Sequence, residues 1–495
     1  LSDASHLRKQ APRRRNRKRT KEIKQMTVIW MITTLVLFII LALLGFLMRL
    51  NQSNVIKLPA DYFYSFMTLH GLGMAGVLFS GGLAALWYLL SKYIEMSVRL
   101  MRLVFVFVVI GVVGLIISTL IGRFGPGWYM LYPLPFKNNG VWASWSTGLA
   151  SISVMFLGVG WLLAQLDVLR ALAVRYGLAN ILGWQYFRKN RENDDMPPIA
   201  LVGAVSCIAG SLTTIAGAVL ITLYIIQWLV PTMSYNALWM KNIVFLFGHT
   251  IVNVTLYFGV GYIYELMPRF SGRPWKMNKI FVISWNAVLV FVLIAYFHHL
   301  YMDFAQPRFL QFVGQIASYL SSVPATVITI FGAIAQIYRS KMDWTYTPLS
   351  FWLGLMGWLI GGFLAVMDST IIVNVVFHNT LWVPSHFHTY FVMGFLLMFF
   401  GFVYHFFKPN TEKIAKTSLV TMLIGGYGFL AMFALGGLSG VPRRYASYTD
   451  IPLTSVAHSG ETLAFWAVLF IGLFLLGITI YYVSIFANIR KTWSQ

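Results

Sequence analysis

The 495-residue sequence contains little cysteine and little charge. Its one cysteine, Cys207, lies in an apolar run, which excludes a disulfide framework and a metal centre built from cysteine thiolates. Charged residues make up only 11% of the chain, whereas a soluble globular protein averages about 25%. Acidic residues are the scarcest, with 15 Asp and Glu against 37 Lys and Arg. This composition excludes a soluble globular protein.

Long apolar runs fill most of the chain, of which 58% is hydrophobic. Val28–Met48, Leu103–Ile121 and Phe465–Val483 each hold about 20 nearly uncharged residues, enough to cross roughly 30 Å of hydrocarbon. Such runs predict helices rather than barrel strands, because backbone polar groups must be satisfied within the lipid. We predict an all-α polytopic membrane protein with about twelve transmembrane helices. The predicted spans are residues 27–49, 62–91, 101–123, 143–165, 199–230, 240–267, 279–301, 310–338, 349–369, 386–408, 416–440 and 462–487.

A basic segment precedes the first span. Residues 1–25 contain ten lysines and arginines against two acids, which gives this segment alone a net charge of +8. The run from Arg13 to Arg19 could bind nucleic acid, but a hydrophobic helix follows at once, so we interpret it as a cytoplasmic flank that touches anionic lipid. We predict a basic cytoplasmic tail at 1–25 and one catalytic domain of twelve helices at 26–495. The first apolar run is expected to be a retained anchor, because it lacks a small-residue cleavage site.

The other basic residues fit an N-terminus on the inner side of the membrane. With odd-numbered spans running outward, the inner connections are rich in Lys and Arg, and the outer ones are poorer, apart from Arg443 and Arg444. The basic inner connections are residues 188–191, 269–279, 339–341, 408–416 and 490–491. Charge and span count therefore predict the same orientation.

Six of the ten histidines lie in or at the ends of predicted spans: His70, His249, His298, His299, His386 and His388. Ionisable residues inside a membrane are costly to bury and indicate a functional site. In the predicted orientation all six fall in the outer half of the bilayer, given a rise of about 1.5 Å per helical residue. Scattered core histidines have no reason to share one depth, whereas the ligands of a metal cluster do. We interpret His6, His405 and His458 as ordinary.

The spacing of the six histidines divides them into separate sites. His386 and His388 are two residues apart on a helix, about 200° around its axis, so they point to opposite sides and can hold two cofactors. His298 and His299, adjacent at a helix end, can join His249 in a three-nitrogen site for copper, iron or zinc with one position open. The remaining histidine, His70, can supply the second axial ligand of one haem.

Segments around these histidines resemble the signatures of haem–copper oxidases, and more narrowly of the B family, the ba-type oxidases. His378–His388 is similar to the tenth-helix signature, Gly248–Val252 to the sixth-helix motif, and Phe297–His299 to the copper motif that follows it. Val441–Tyr445 resembles the outer-loop arginine pair. The similarity runs from about residue 70 to residue 445, which is most of the chain.

The resemblance implies two haems. His70 and His388 would be the axial ligands of an electron-transferring low-spin haem of b type. His386 would be the single axial ligand of a high-spin haem of b, o or a type, whose other face is open. The residues implied to lie near the haem propionates are Arg443, Arg444 and His378.

The resemblance also implies the other parts of a respiratory enzyme. His249, His298 and His299 would bind copper B opposite the open haem face, with non-haem iron as the alternative. This chain has no cysteine-based copper centre and no haem-attachment motif. Electrons would therefore come from a cupredoxin-like subunit II with dinuclear copper, and from cytochrome c or quinol. The enzyme would lie in the lipid bilayer of a prokaryotic plasma membrane, with its N-terminus in the cytoplasm and no nucleic acid as partner.

The redox tyrosine of related oxidases is missing from both of its known positions. In the B family it stands four residues after the first copper histidine, where this sequence has Asn253. A related family places it just after a Gly-Arg-Pro segment; Gly272–Pro274 is present here, but Asn278 stands at the tyrosine position. Nitric oxide reductases have a glutamate in place of Asn253 that helps to bind iron, so its absence favours copper over iron.

The family's inner proton path is altered as well. Two hydroxyl positions on the eighth span are Ala325 and Ile328, and one tyrosine position on the sixth span is Val260, although Tyr264 is kept. Apolar side chains cannot relay protons, so we predict that the path is interrupted and that protons enter from the outside. The hydroxyl residues that could replace the missing ones are Thr326 and Thr329.

These differences favour one reaction over another. Cleavage of dioxygen needs four electrons almost at once, which the tyrosine completes, whereas 2 NO + 2 e⁻ + 2 H⁺ → N₂O + H₂O needs only two. We predict a nitric oxide reductase of denitrification. The alternative is a ba-type cytochrome c oxidase that reduces dioxygen to water; a transporter with proton-relaying histidines is a third hypothesis and would contain no haem. The predicted catalytic residues are Asn253, His249, His298, His299 and His386.

Overall fold

The computed structural model describes residues 3–188 and 196–487, with side chains described from residue 18 onward. Twelve helices in these ranges are long and apolar enough to cross a membrane, and each overlaps one predicted span. The prediction of a twelve-helix membrane protein is thus confirmed. The helices are α1 (Lys18–Gln52), α2 (Ala60–Leu90), α3 (Val98–Ile121), α4 (Ser144–Tyr176), α5 (Pro198–Leu229), α6 (Ala237–Ser271), α7 (Lys279–Leu300), α8 (Phe309–Ile337), α9 (Tyr346–Asp368), α10 (Trp382–Phe407), α11 (Glu412–Leu438) and α12 (Thr454–Phe486).

The basic tail is only partly described. Its side chains up to residue 17, and the basic connections at 189–191 and 490–491, lie outside the described residues. Arg19 forms a 2.8 Å ion pair with Glu95 and donates a 3.2 Å hydrogen bond to the Met96 carbonyl oxygen. The helix itself begins at Asp3, and these contacts attach the start of its membrane-spanning part to the connection between α2 and α3. The division at residue 25 and the cytoplasmic position of the tail stay predictions.

Local sequence sets the ends of the helices that carry the site. Asn236 caps α6 by accepting a 2.9 Å hydrogen bond from Trp239 N, and Gly272, with φ of 68°, ends that helix in the left-handed region. Asn278 caps α7 in the same way, accepting from Phe281 N at 2.8 Å. The last residues of α7 form a tighter 3₁₀ turn that contains the two adjacent histidines.

Four helices, α2, α5, α6 and α10, form the interior of the bundle. Their most apolar windows are 72%, 78%, 72% and 89% buried within the protein, whereas those of α1, α8 and α12 are 28%, 33% and 33% buried. His70 lies on α2, His249 on α6, and His386 and His388 on α10. These predicted ligands are therefore on the helices most enclosed by protein.

Helix α10 is irregular where it passes the site. Thr389–Leu396 is a π-helical segment that begins directly after His388, and such segments are frequent at functional sites. Helix α9 approaches it closely because Gly361 has no side chain: a Cβ atom there would lie 2.8 Å from Tyr390 Cα. The backbone of α9 thus supports this part of α10 directly.

The loop between α11 and α12 folds back onto the end of α1 and the start of α10. Gln52 Nε2 donates a 2.6 Å hydrogen bond to the Tyr445 carbonyl oxygen, and Arg443 N donates a 3.0 Å hydrogen bond to the Asn379 carbonyl oxygen. These bonds place Arg443 and Arg444 beside the start of α10.

Candidate metal centre

One large cavity is lined by all six predicted histidines. It lies where α1, α2, α6, α10 and α11 meet the turn at the end of α7, and most of its other lining is apolar or aromatic. The six histidines come from four separate segments of the sequence. The fold therefore brings together the residues that were predicted to share one depth.

His70 and His388 face each other across this cavity. Their ring centres are 6.4 Å apart and their planes differ by 17°. Two imidazoles that bind one metal from opposite sides, at about 2 Å each, have ring centres roughly 6 Å apart, so an iron atom fits between them. Nδ1 of His70 lies 2.8 Å from the Leu41 carbonyl oxygen, and Nδ1 of His388 lies 2.7 Å from the Pro384 carbonyl oxygen. Nε2 of each ring is left for the metal.

His249, His298 and His299 form a compact group. One ligand atom from each lies within 4.8 Å of the others, so small rotations of the rings would bring all three nitrogens to the distance of about 2 Å at which one metal ion binds them. Nδ1 of His249 is buried and has no hydrogen-bond partner among the described residues, which fits a nitrogen that binds a metal. A 3.0 Å hydrogen bond between His298 Nδ1 and Ser318 Oγ holds the second ring. As described, the group contains three imidazoles and no carboxylate.

His386 and His388 use opposite faces of α10, as their spacing predicts. The His388 ring lies edge-on to Phe429 and Phe433 on α11, 6.3 and 5.8 Å from their ring centres. Nδ1 of His386 instead hydrogen bonds to the Gly361 carbonyl oxygen on α9 at 3.1 Å, and its ring lies on the side of the three-histidine group. One helix thus presents its two histidines to two different sides of the cavity.

Asn253 lies beside the three-histidine group. Its Nδ2 donates a 2.8 Å hydrogen bond to the His249 carbonyl oxygen and lies 3.4 Å from His249 Nε2. Its Oδ1 accepts a 2.9 Å hydrogen bond from the phenol of Tyr390 on α10. Sequence reasoning missed Tyr390. The one available signal was its position four residues after His386, which places both on the same helix face.

Arg443 and Arg444 line one end of the cavity. Their guanidinium carbons lie 5.9 and 4.7 Å from the centre of the Tyr129 ring, and neither forms an ion pair in the described part of the chain. Burial, and then the neighbouring Arg443, lower the pKa of Arg444 below its usual value. Two partly buried cations without a carboxylate partner fit an anionic group such as a haem propionate.

His378 lies near this arginine pair but is not among the described residues that line the cavity. Burial, together with the positive charges of Arg443 and Lys241, lowers the pKa of His378 to about 4. Its ring is therefore neutral at pH 7 and can donate or accept one hydrogen bond without adding charge. Its contact with a haem propionate stays a prediction.

The residues of the inner path are partly connected. Val260 and Ala325 are buried apolar side chains, as the sequence indicates. Tyr264 nevertheless forms a 2.5 Å hydrogen bond with Thr329 Oγ1 across α6 and α8. Thr326 donates instead to a carbonyl oxygen of its own helix. One of the two replacement hydroxyls therefore contacts the tyrosine that the sequence keeps, and interruption of the path stays a prediction.

A family model described as Cytochrome C and Quinol oxidase polypeptide I matches residues 25–475. The chain belongs to this haem–copper oxidase subunit I family. Membership confirms the resemblance to haem–copper oxidases that the motifs around the histidines indicate; the narrower resemblance to the B family stays a prediction. Proteins of the haem–copper oxidase family are oxidoreductases that contain haems and copper, so the family agrees with the histidine groups described above.

Several curated relatives have the names of oxidases. The chain is 31% identical to Cytochrome c oxidase polypeptide 1 of Halobacterium salinarum over 248 residues. This alignment covers 48% of this chain and 39% of the relative. It is 21% identical over 473 residues to Alternative cytochrome c oxidase subunit 1 of Bradyrhizobium diazoefficiens, covering 89% and 78%. In the first three matches the aligned region spans 39%, 27% and 40% of the relative's length.

A solved structure has the same fold. It is described as "Cryo-EM structure of a heme-copper terminal oxidase dimer provides insights into its catalytic mechanism", and it aligns with a TM-score of 0.77 at 19% identity. The alignment covers 94% of this chain and 84% of the other. The haem–copper oxidase fold therefore extends over nearly the whole molecule.

Proposed function

We propose that this chain is the catalytic subunit of a nitric oxide reductase within the haem–copper oxidase family. The observation that carries this proposal is Asn253. It lies beside the three-histidine group, with its amide nitrogen 3.4 Å from His249 Nε2. An amide donates and accepts hydrogen bonds, but unlike a phenol it cannot give up an electron. The reaction assigned to this site should therefore need only the electrons that the metals supply.

The histidine groups provide places for the metals. His70 and His388 would hold a low-spin haem, and His386 a high-spin haem. When bound, the two haems and copper would store and transfer the electrons and bind the substrate at the open position. Copper B would be held by His249, His298 and His299, and haem propionates by Arg443, Arg444 and His378.

The chain's own residues shape the reaction space around these groups. The carbonyl oxygens that bind Nδ1 of the haem ligands fix the direction of each ring before a metal is present. The mainly apolar lining of the cavity excludes water and favours small uncharged molecules. A second, smaller and almost wholly apolar cavity, lined by α2, α4, α5 and α6, shares Trp128 and Tyr129 with it. Both cavities suit nitric oxide, and they suit dioxygen equally well.

The second candidate function is dioxygen reduction by a ba-type cytochrome c oxidase. Two observations favour it. The relatives named above are oxidases. The phenol of Tyr390 also lies in the cavity, hydrogen bonded to Asn253. A phenol there could supply the electron and proton that the asparagine cannot.

The proposed enzyme works in a prokaryotic plasma membrane with its N-terminus in the cytoplasm. Electrons come from outside this chain, because Cys207 alone cannot form a dinuclear copper centre with bridging thiolates. A cupredoxin-like subunit II with dinuclear copper supplies them, fed by cytochrome c or a quinol. The transport hypothesis predicts a colourless protein, so the optical spectrum of the purified chain separates it from both reductase hypotheses.

Turnover of nitric oxide and of dioxygen by one preparation tests the proposal. We expect sustained reduction of nitric oxide to nitrous oxide, measured by gas chromatography. We expect slow dioxygen reduction that releases peroxide, because the asparagine at position 253 cannot donate the electron that completes the four-electron step. The variant Asn253→Tyr should not restore fast oxidase activity by itself, because the inner path is also altered. Rapid, peroxide-free reduction of dioxygen with feeble turnover of nitric oxide would contradict the nitric oxide assignment.

Proton uptake is expected from the outer side, without pumping. Val260, Ala325 and Ile328 replace groups that relay protons in the family, so the inner route lacks three of its members. In vesicles with a charge-compensating ionophore, turnover should change the external pH only by the protons that the reaction consumes. Thr329→Val should leave the rate unchanged. Net acidification of the outer medium, abolished by Thr329→Val, would show that the Tyr264–Thr329 contact carries protons instead.

A further inference from the structure

Tyr390 connects two helices at the wall of the metal cavity. It follows His386 on α10 by four residues, and its side chain and that of Asn253 on α6 both line the cavity. The phenol donates a 2.9 Å hydrogen bond to Asn253 Oδ1. The residue is only 7% exposed, so water competes little for this bond.

The hydrogen bonds around this pair run in one direction. The Trp358 side chain on α9 approaches the Tyr390 phenol, whose O–H donates to Asn253 Oδ1. Asn253 then donates from Nδ2 to the His249 carbonyl oxygen at 2.8 Å. Turning the amide over would place Oδ1 against that carbonyl oxygen. This contact would be repulsive, so the hydrogen bond to His249 and the one from Tyr390 favour one orientation of the amide.

We propose that Tyr390 is a positioning residue that fixes the Asn253 amide, with its N–H side toward the three-histidine group. A fixed amide presents its dipole to the space beside His249 without reorganisation during turnover. The effect on catalysis rests on the proposed function, whereas the orientation of the amide rests on the hydrogen bonds alone. Tyr390 acts through Asn253 and need not be oxidised in this role.

Carbon monoxide bound to the reduced enzyme provides a probe that does not depend on turnover. Its infrared stretching band responds to nearby dipoles, so a freed amide should shift or broaden the band. The variants are Tyr390→Phe, Asn253→Ala and the double variant. Tyr262→Phe is the matched control, because this buried phenol on α6 donates a 2.6 Å hydrogen bond to the Gly82 carbonyl oxygen away from the site.

We expect Tyr390→Phe and Asn253→Ala each to change the carbon monoxide band, and the double variant to match Asn253→Ala. The control should match the wild type. For nitric oxide we expect Tyr390→Phe to lower kcat about tenfold with little change in KM, the size of effect produced by one lost hydrogen bond in the transition state. An unchanged band in Tyr390→Phe, or the same added shift in the Asn253→Ala background, would overturn the proposal.

A second variant keeps the test decisive if Tyr390→Phe fails to assemble with haem. Trp358→Phe retains the phenol but removes the indole N–H that approaches it. We expect a smaller band change that disappears in the Asn253→Ala background; a change that persists there would also overturn the proposal. The carbon monoxide result is independent of the substrate, so it stands even if turnover identifies the enzyme as an oxidase.

Discussion

Alanine at position 70 or 388 is expected to abolish the signal of a six-coordinate low-spin haem. The centres of the two rings lie 6.4 Å apart and the rings are nearly parallel, so both would be needed to bind one haem iron. Either ring alone would leave that iron one ligand short. A high-spin haem should remain detectable, because His386 lies on the opposite face of α10 and hydrogen bonds to another helix. Reduced-minus-oxidised optical spectra, with the haem content of each variant measured in parallel, check this expectation.

His386→Ala should give the reverse result, with the low-spin signal kept and the high-spin haem lost. His405→Ala is the matched control, because His405 lies near the far end of α10, packs edge-on to Phe270 and is not among the described residues that line the cavity. Both haem signals should survive in that variant. A six-coordinate haem in His70→Ala would show that the pairing of His70 with His388 is wrong.

The sequence was sufficient, for physical reasons, to predict the helices and to predict that the six histidines lie close together. Apolar runs must span the lipid, so their lengths predict α1 to α12. Histidines at membrane depth are costly, so His70 or His249 stands out even in a single sequence. The regular geometry of a helix then predicts that His386 and His388 face opposite ways, which the structure confirms.

The sequence was not sufficient where two helices meet or where helix geometry is irregular. Tyr390 is the second residue of a π-helical segment. Its partner Asn253 is 137 residues earlier in the sequence, so no local spacing connects the two. The close approach of α9 that seats Tyr390 depends on Gly361, whose role is visible only in the packing. The Tyr264–Thr329 hydrogen bond likewise depends on how α6 and α8 are rotated against each other.

Removal of one ring from the three-histidine group is expected to remove copper and leave both haems in place. We choose His299→Ala, because His299 stacks on Phe245 at 4.9 Å and makes no hydrogen bond in the described part of the chain that its loss would disrupt. Two remaining imidazoles without a carboxylate hold a divalent metal weakly, so copper should fall to background. Elemental analysis for copper and iron, together with the haem spectrum, measures both expectations. Activity toward nitric oxide should be lost in the same variant.

The same measurement on the wild type decides which metal the group binds. Copper together with iron equal to the haem content supports three imidazoles as a copper site, whereas iron in excess of haem would show that non-haem iron occupies it. Ser318→Ala is the graded comparison, because it removes the 3.0 Å hydrogen bond to His298 Nδ1 but keeps all three ligands. Loss of such a supporting bond lowers metal affinity by roughly 10- to 100-fold, so copper should be retained but should leave more readily to a chelator. Full copper content in His299→Ala, with unaltered resistance to the chelator, would mean that the metal lies elsewhere.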